Sequence, residues 1–95
     1  MARRVFEWDD PDDEAGNVLH IARHGITTRE AEYVVLGGGN RVERSRSSSH
    51  WMTFGSTRTG KYLLVVWYAI GEDPEVVRVV TAYEVDRPKP RRGRR

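Results

Sequence analysis

The spacing of apolar residues divides the chain into a mainly helical first part and a second part made of strands. Residues 5–8, VFEW, give a short strand signal, and apolar residues then recur with helical spacing over residues 11–24 and 28–36. After Asn40 the apolar period changes to two, which is typical of strands. The pattern predicts an α+β domain with a short N-terminal strand, a helical hairpin and a mostly antiparallel sheet of about four strands, with the hairpin on one face.

The first predicted helix has an apolar side and a polar side. Pro11 suits its first turn and Gly25 suits its end, because glycine readily adopts the left-handed conformation that closes helices. The residues expected to pack on the sheet are Ala15, Val18, Leu19, Ile21 and Ala22. The polar residues on the other side are Asp13, Asn17, His20 and His24. This polar side is predicted to face solvent or a partner.

The strand part contains one segment that is apolar on both faces. Residues 61–70, KYLLVVWYAI, have the continuous apolar pattern of a central strand. Residues 51–58 alternate as a half-exposed strand does, and residues 76–85 form the last strand. The serine-rich stretch 45–50 between strands is predicted to be a hairpin loop.

The positive charge of the chain is concentrated at its C-terminal end. The length of 95 residues suits one domain, which we assign to residues 1–85, with ten basic and thirteen acidic residues. Residues 86–95 contain six basic residues and one acid, and this tail is predicted to be disordered because it has no apolar core to bury. Basic arms bind nucleic acid by releasing counterions. The candidate RNA-binding residues are therefore Arg87, Lys89, Arg91 and Arg92.

Composition excludes several kinds of chemistry. The chain has no cysteine, which removes disulfides, thiolate zinc sites and a cysteine nucleophile. Its longest apolar run, about ten residues, is too short to span a bilayer, and no signal-peptide pattern opens it. We therefore expect a cytoplasmic protein that has no membrane partner.

The histidines and serines suggest two chemistries that find no support elsewhere in the chain. His20 and His24 have the spacing of two zinc ligands on a helix, but a zinc site needs a third and usually a fourth ligand. Asp13 and His50 are the available additions, and no spacing requires them. No G-x-S-x-G turn presents a serine of residues 45–49 as a nucleophile. The prediction is no metal and no other cofactor, and a metal site on the helix is the weakest alternative.

Polar residues on the open face of the predicted sheet form the stronger candidate site. A sheet covered by helices on one face exposes the other, where basic side chains can bind phosphate and His or Tyr can transfer protons. With a period of two, Arg78 and Glu84 share one face of the last strand and Tyr83 lies on the other. The catalytic candidates are His50, Arg58, Lys61, Arg78 and Tyr83. Ordinary solvent-exposed strand positions would also account for these residues.

Several segments together resemble the BrnT toxins, which belong to the wider RelE-like superfamily. The similar segments are FEWDDPDDEAGN, HIARHGIT, an apolar strand after a glycine turn, and the closing VRVVTAY, within residues 5–85. His24 and Gly25 match the K-H-G of that family, and Arg78 matches the arginine of its closing I-R-I-I-S-A-R. The resemblance therefore covers nearly the whole predicted domain.

This chain departs from the family pattern at three arginine positions. The R-Y/F pair of the family falls on His50 and Trp51 of this chain. The later arginines fall on Ser56 and Tyr83. The positive charge that these three arginines would supply for binding phosphate would have to come from other residues of this chain.

The resemblance implies a RelE-like fold and the toxin of a type II toxin–antitoxin system, a metal-independent endoribonuclease. Its partners would be RNA and a ribbon-helix-helix antitoxin protein, with a homodimer left open. By side-chain type, His50 would act as a base on a ribose 2′-hydroxyl, with Arg58, Lys61 or Arg78 stabilising the phosphorane charge. The alternative is a non-catalytic RelE-like fold that binds protein or nucleic acid.

Overall fold

A computed structural model describes residues 3–89, which form two helices and five strands. In chain order the elements are β1 (Arg4–Phe6), α1 (Asn17–Ala22), α2 (Thr28–Leu36), β2 (Arg41–Arg44), β3 (Trp51–Ser56), β4 (Tyr62–Ile70) and β5 (Glu75–Glu84). The strands form one sheet in the order β1-β5-β4-β3-β2, with β1 parallel to β5 and the other pairs antiparallel. The α+β class is confirmed. The sheet has five strands in the described part, rather than about four, because the N-terminal strand joins it.

The hydrophobic core lies between the two helices and one face of the sheet. β4 is the central strand, as its apolar sequence predicts, and its Leu63 is fully buried in one core cluster with Ile21 of α1 and Val34 of α2. The indole N–H of Trp67 donates to the buried Thr53 hydroxyl over 2.8 Å, which satisfies both polar groups inside the core. Both helices contact this face, so the opposite face of the sheet is open. Within residues 3–89, no helix has the length and apolar character needed to cross a membrane.

A β-bulge in β5 changes which of its side chains share the open face. The register between β4 and β5 shifts between Val66 and Trp67, so that Val80 is an extra residue without a direct partner. One extra residue reverses the alternation of side chains beyond it. Arg78 and Tyr83 therefore lie on the same face, and the prediction that they lie on opposite faces is wrong.

Helix α1 is shorter than predicted, because the acidic residues before it bind their own backbone. The sequence predicts a helix over residues 11–24, but the structure has Asn17–Ala22. The carboxylates of Asp10 and Asp13 each accept a hydrogen bond of 2.9 Å from the amide two residues further along the chain. Such side-chain turns compete with helix formation. The chain thus reaches α1 through turns rather than through an additional helical turn.

The polar side of α1 lies along the edge of the sheet. β1 pairs with only the first part of β5, and α1 continues along the rest of that edge. The buried Asn17 amide donates to the Val79 carbonyl over 3.0 Å. His24 Nδ1 lies 3.0 Å from the Ala82 carbonyl, and it must be the donor because a carbonyl only accepts. The prediction that this side faces solvent or a partner is wrong at Asn17, which is buried against the sheet edge. His20 and His24 are exposed, as predicted, and each also has one ring nitrogen in contact with that edge.

Helix α2 begins at a capping box, which the spacing of Thr27 and Glu30 in the sequence indicates. The Thr27 hydroxyl accepts the Glu30 amide over 3.1 Å, and the Glu30 carboxylate accepts the Thr27 amide over 3.0 Å. Lys61 Nζ donates to the Gly25 carbonyl over 3.0 Å and lies 3.2 Å from Glu30 Oε2. Burial raises the pKa of Glu30, but hydrogen bonds from Thr27 and Lys61 outweigh it and leave the pKa below its usual value. Lys61 therefore ties the helical hairpin to the β3–β4 turn.

Candidate groove on the open sheet face

A solvent-open groove of about 610 Å³ lies where the start of α1 meets the open face of the sheet. Its polar lining residues are Asp9, Glu14, Asn17, His20, Arg23, His50, Tyr68 and Arg78. His50 precedes β3, Tyr68 lies on β4 and Arg78 lies on β5, so three neighbouring strands place these side chains in one row. The groove thus contains two of the predicted catalytic residues, His50 and Arg78.

Tyr68 lies between those two residues. The His50 imidazole stacks on the Tyr68 ring, with centroids 5.4 Å apart and planes at 21°. Tyr68 is directly opposite Arg78 in the β4–β5 pair. The His50 imidazole, which can transfer protons, therefore lies one strand away from the Tyr68 hydroxyl and two strands away from the Arg78 guanidinium.

Arg78 is held by two carboxylates. Its Nη1 and Nη2 donate to the two carboxylate oxygens of Asp9 over 3.1 and 3.3 Å, and Nη1 lies 3.7 Å from Glu7 Oε1. Asp9 also accepts the Asn17 backbone amide and donates its own amide to Asn17 Oδ1, both over 2.9 Å. The hydrogen bond from Arg78 is the main reason that the pKa of Asp9 lies below its usual value, and the same bond raises the pKa of Arg78. Arg78 is therefore a fixed cation whose charge is partly neutralised.

Helix α1 and the turns before it supply the other wall of the groove. His20 Nε2 lies 3.1 Å from the Thr81 hydroxyl, and its ring is 5.2 Å from that of His24. Arg23 donates to the Glu14 carbonyl over 3.3 Å and also lines the groove. A second imidazole and a second guanidinium therefore lie across the groove from the row on the sheet.

The other three catalytic candidates lie outside the groove. The six residues of β3 span roughly 20 Å at about 3.3 Å per residue, and Arg58 and Lys61 follow its far end. Arg58 is exposed there, whereas Lys61 is bound by the helical hairpin. Tyr83 lies beside His24, with ring centroids 5.8 Å apart. The structure therefore does not bring these three residues to a phosphate held in the groove.

The first RNA-binding candidate of the tail contacts the folded domain. Arg87 donates to the Ser56 hydroxyl over 2.9 Å and to a backbone carbonyl of the β3–β4 turn over 2.6 Å. Its guanidinium also lies 5.5 Å from the centroid of the Tyr62 ring. Lys89 is exposed at the end of the described part. The remaining two candidates, Arg91 and Arg92, lie outside the described residues.

The histidines of α1 have structural partners. In residues 3–89, no group of three or more His, Asp or Glu side chains is arranged to hold a metal ion. His20 Nε2 contacts the Thr81 hydroxyl, and His24 Nδ1 contacts the Ala82 carbonyl. The spacing that is typical of helical zinc ligands is used here to join α1 to β5.

Sequence reasoning missed Tyr68, Asp9, His20 and Arg23 as groove residues. Tyr68 lies within an apolar strand, and its position beside His50 depends on the strand register. Asp9 belongs to an acidic turn, and its contact with Arg78 joins residues far apart in the chain. The one local signal that could have indicated Tyr68 is its hydroxyl group within an otherwise apolar central strand.

Comparison with known proteins assigns this chain to no family. A scan against protein-family models gave no match, and a search of curated protein sequences gave none either. The class of the protein is therefore defined by its own fold and groove. It is a small α+β domain with a polar groove on the open face of its sheet.

Proposed function

We propose that this chain is a metal-independent endoribonuclease, the BrnT-like toxin of a type II toxin–antitoxin pair, with a RelE-like fold. The main support is the groove, where two imidazoles, a phenol and two guanidiniums converge. Cleavage of RNA without a metal needs a base for the ribose 2′-hydroxyl, an acid for the leaving 5′-oxygen and positive charge near the phosphorane. The groove contains residue types suited to all three tasks. The resemblance of the sequence to BrnT toxins is the second support.

His50 is the proposed base and His20 the proposed acid. His50 takes the proton of the 2′-hydroxyl, the 2′-oxygen attacks phosphorus, and His20 protonates the 5′-oxygen as its bond to phosphorus breaks. The products are a 2′,3′-cyclic phosphate and a free 5′-hydroxyl. Stacking on Tyr68 fixes the plane of the His50 ring, and Asp9 fixes the direction of Arg78. Fixed geometry of this kind lowers the reorganisation needed in the transition state.

The proposed partners are RNA and a ribbon-helix-helix antitoxin protein. An antitoxin would neutralise the toxin by covering the groove or the open face around it. This partner follows from the resemblance alone, and co-expression with the product of an adjacent gene tests it. Rescue of growth and co-purification are the expected results.

The second candidate function is a binding module without catalysis. The observation that favours it is the pairing of Arg78 with Asp9, which neutralises part of the charge that a phosphate would need. In this case RNA or a protein would bind while the groove leaves the phosphodiester intact. Only a cleavage assay separates this candidate from the first.

Two assays test the ribonuclease proposal. The parent chain is expected to arrest bacterial growth on induction and, when purified, to cleave RNA in the presence of a chelator. His50→Ala and Arg78→Ala are each expected to lower the cleavage rate by about 10²–10⁴-fold, the usual contribution of a proton-transfer or charge-stabilising group. The matched control is Arg58→Ala, an exposed residue at the far end of β3, which is expected to cleave like the parent.

Two results would count against catalysis in the groove. A His50→Ala/Arg78→Ala double variant that cleaves as fast as the parent would rule out this site. A folded parent chain that binds RNA but leaves it intact would favour the binding module. Circular dichroism of each variant shows whether loss of activity reflects loss of fold.

A further inference from the structure

Strand β2 forms an edge of the sheet that the rest of the described chain leaves uncovered. It is the last strand in the order β1-β5-β4-β3-β2, and all four of its residues are exposed, with Val42 at 50%. At the other side of the sheet, α1 covers the part of β5 that β1 does not pair with. An uncovered edge presents backbone donors and acceptors that another strand can pair with.

The hydrogen-bond pattern shows which residues of β2 have outward-directed backbone groups. The Ser45 amide donates to the His50 carbonyl over 2.9 Å, so this pair bonds β2 to β3. Bonded and non-bonded pairs alternate along an antiparallel ladder. Arg41 and Glu43 therefore also bond to β3, whereas the N–H and C=O groups of Val42 and Arg44 are directed outward.

We propose that β2 pairs antiparallel with β2 of a second copy of this chain, with Val42 opposite Val42. In this register the outward amide of each Val42 donates to the carbonyl of the other, and the sheet continues across the two copies. Each Arg41 then lies opposite Glu43 of the second copy. The pairing thus forms two reciprocal ion pairs around a central apolar contact, and each opposite-charge pair stabilises a sheet.

Charge excludes the other registers. The outward-directed residues of one copy must face those of the other, so alternative registers differ by two residues. A shift of the register in one direction places the two copies of Glu43 opposite each other, and a further shift places the two copies of Arg44 opposite each other. Moving in the other direction places Arg41 opposite Arg41. Like charges directly opposite each other destabilise a sheet, so the register centred on Val42 is the one free of them.

The side chains of Arg41 and Glu43 are already on one face and within reach of each other. Within one copy Arg41 Nε lies 3.0 Å from Glu43 Oε2, and both side chains are about half exposed, at 53% and 47%. The Arg41 guanidinium also lies 4.1 Å from the centroid of the Phe54 ring, which holds it against the open face. Non-bonded antiparallel pairs bring Cα atoms to about 4.5 Å, so the same groups can pair between copies. A short charged edge usually prevents pairing. Here, however, the charges of β2 are complementary to those of an antiparallel β2 in a second copy.

Charge exchange tests the pairing by sedimentation equilibrium of the full chain. The parent is expected to dimerise, and Arg41→Glu or Glu43→Arg alone is expected to raise the dimer Kd by about tenfold, because attraction becomes repulsion in both ion pairs. The double exchange Arg41→Glu/Glu43→Arg is expected to restore the parent Kd. A parent chain that stays monomeric, or a double exchange that fails to restore the dimer, would overturn the proposal.

Disulfide trapping tests the register. Because the chain has no native cysteine, an introduced cysteine can form a disulfide only with the same residue of a second copy. Hydrogen-bonded antiparallel pairs have Cα atoms about 5.5 Å apart, within the range that a disulfide spans. Val42→Cys is therefore expected to form a covalent dimer on mild oxidation. The control is Arg44→Cys. In this register residue 44 of one copy lies several residues away from residue 44 of the other, so the two cysteines are expected to stay unlinked. Faster crosslinking of Glu43→Cys or Arg44→Cys than of Val42→Cys would overturn the register.

Discussion

Asp9 is the residue that connects the groove to the rest of the fold. Its carboxylate binds the Arg78 guanidinium of β5 and accepts the amide that opens α1. One side chain therefore orients the proposed phosphate-binding cation and anchors the helix that forms the opposite wall. Because the carboxylate is charged in these contacts, its contribution depends on pH.

Asp9→Asn is expected to lower the free energy of unfolding at neutral pH and to have a smaller effect in acid. The pKa of Asp9 is depressed in the folded state, mainly by the hydrogen bond from Arg78. The ionised carboxylate therefore stabilises the fold above the ordinary pKa of aspartate, and this stabilisation is lost as the pH falls through the depressed value. Urea unfolding followed by tryptophan fluorescence at about pH 7 and about pH 3 checks whether the two proteins converge in acid.

The control for this experiment is Asp12→Asn, an exposed acid in the same turn region. Its unfolding curve is expected to stay close to that of the parent at both pH values. An Asp9→Asn difference that is as large in acid as at neutral pH would contradict the charged contact with Arg78.

At the scale of elements, α1 acts as a cover for the free part of the β5 edge. Its polar residues make the contacts that a neighbouring strand would otherwise make, beginning with the Asn17 side-chain amide and the Val79 carbonyl. A helix in this position prevents further strands from pairing there. The edge of β2 has no such cover in the described part, which is why the two edges of one sheet are expected to behave differently.

Asn17→Asp is expected to destabilise the fold by about 1–3 kcal/mol, the usual effect of leaving a buried polar group without its partner. The aspartate can still accept the Asp9 amide, but it has no N–H for the Val79 carbonyl. Urea unfolding at neutral pH measures the loss. Arg29→Ala, an exposed change on α2, is the control and is expected to shift stability by less than about 0.5 kcal/mol. A loss for Asn17→Asp as small as that of the control would show that the edge contact contributes little.

At the scale of the whole molecule, charge is separated between an acidic body and a basic end. Residues 1–85 contain more acids than bases, whereas residues 86–95 contain six bases and one acid. A polyanion approaching the groove would meet two arginines there, one of them paired with Asp9. The basic end is therefore expected to supply much of the long-range attraction for RNA.

Deleting residues 90–95 is expected to weaken the proposed RNA binding for all sequences alike and to make it less dependent on salt. The segment contains four arginines, and each arginine–phosphate pair that the deletion removes lowers the slope of log K against log salt by about 0.7 for a single strand. Fluorescence anisotropy over a range of salt concentrations measures this slope. Replacing the four arginines by lysine keeps the charge and is expected to keep the slope. A slope that the deletion leaves unchanged would show that the tail does not contact RNA.

The sequence by itself determined the elements whose signals are local. The continuous apolar run made β4 the central strand, and Thr27 with Glu30 placed the start of α2, where the structure has it. The change of period after Asn40 predicted the strands that follow. These features were predictable because periodicity, capping and turn chemistry act between residues a few positions apart.

Only the tertiary structure decided the groove and the two sheet edges. Tyr68 meets His50 because of the β3–β4 pairing, and Asp9 meets Arg78 across 69 positions of the chain. The extra residue Val80 brought Tyr83 to the same face as Arg78, against strict alternation. Such contacts depend on strand register, bulges and packing, which are set by the balance of interactions over the whole domain. No local pattern in the sequence specifies that balance.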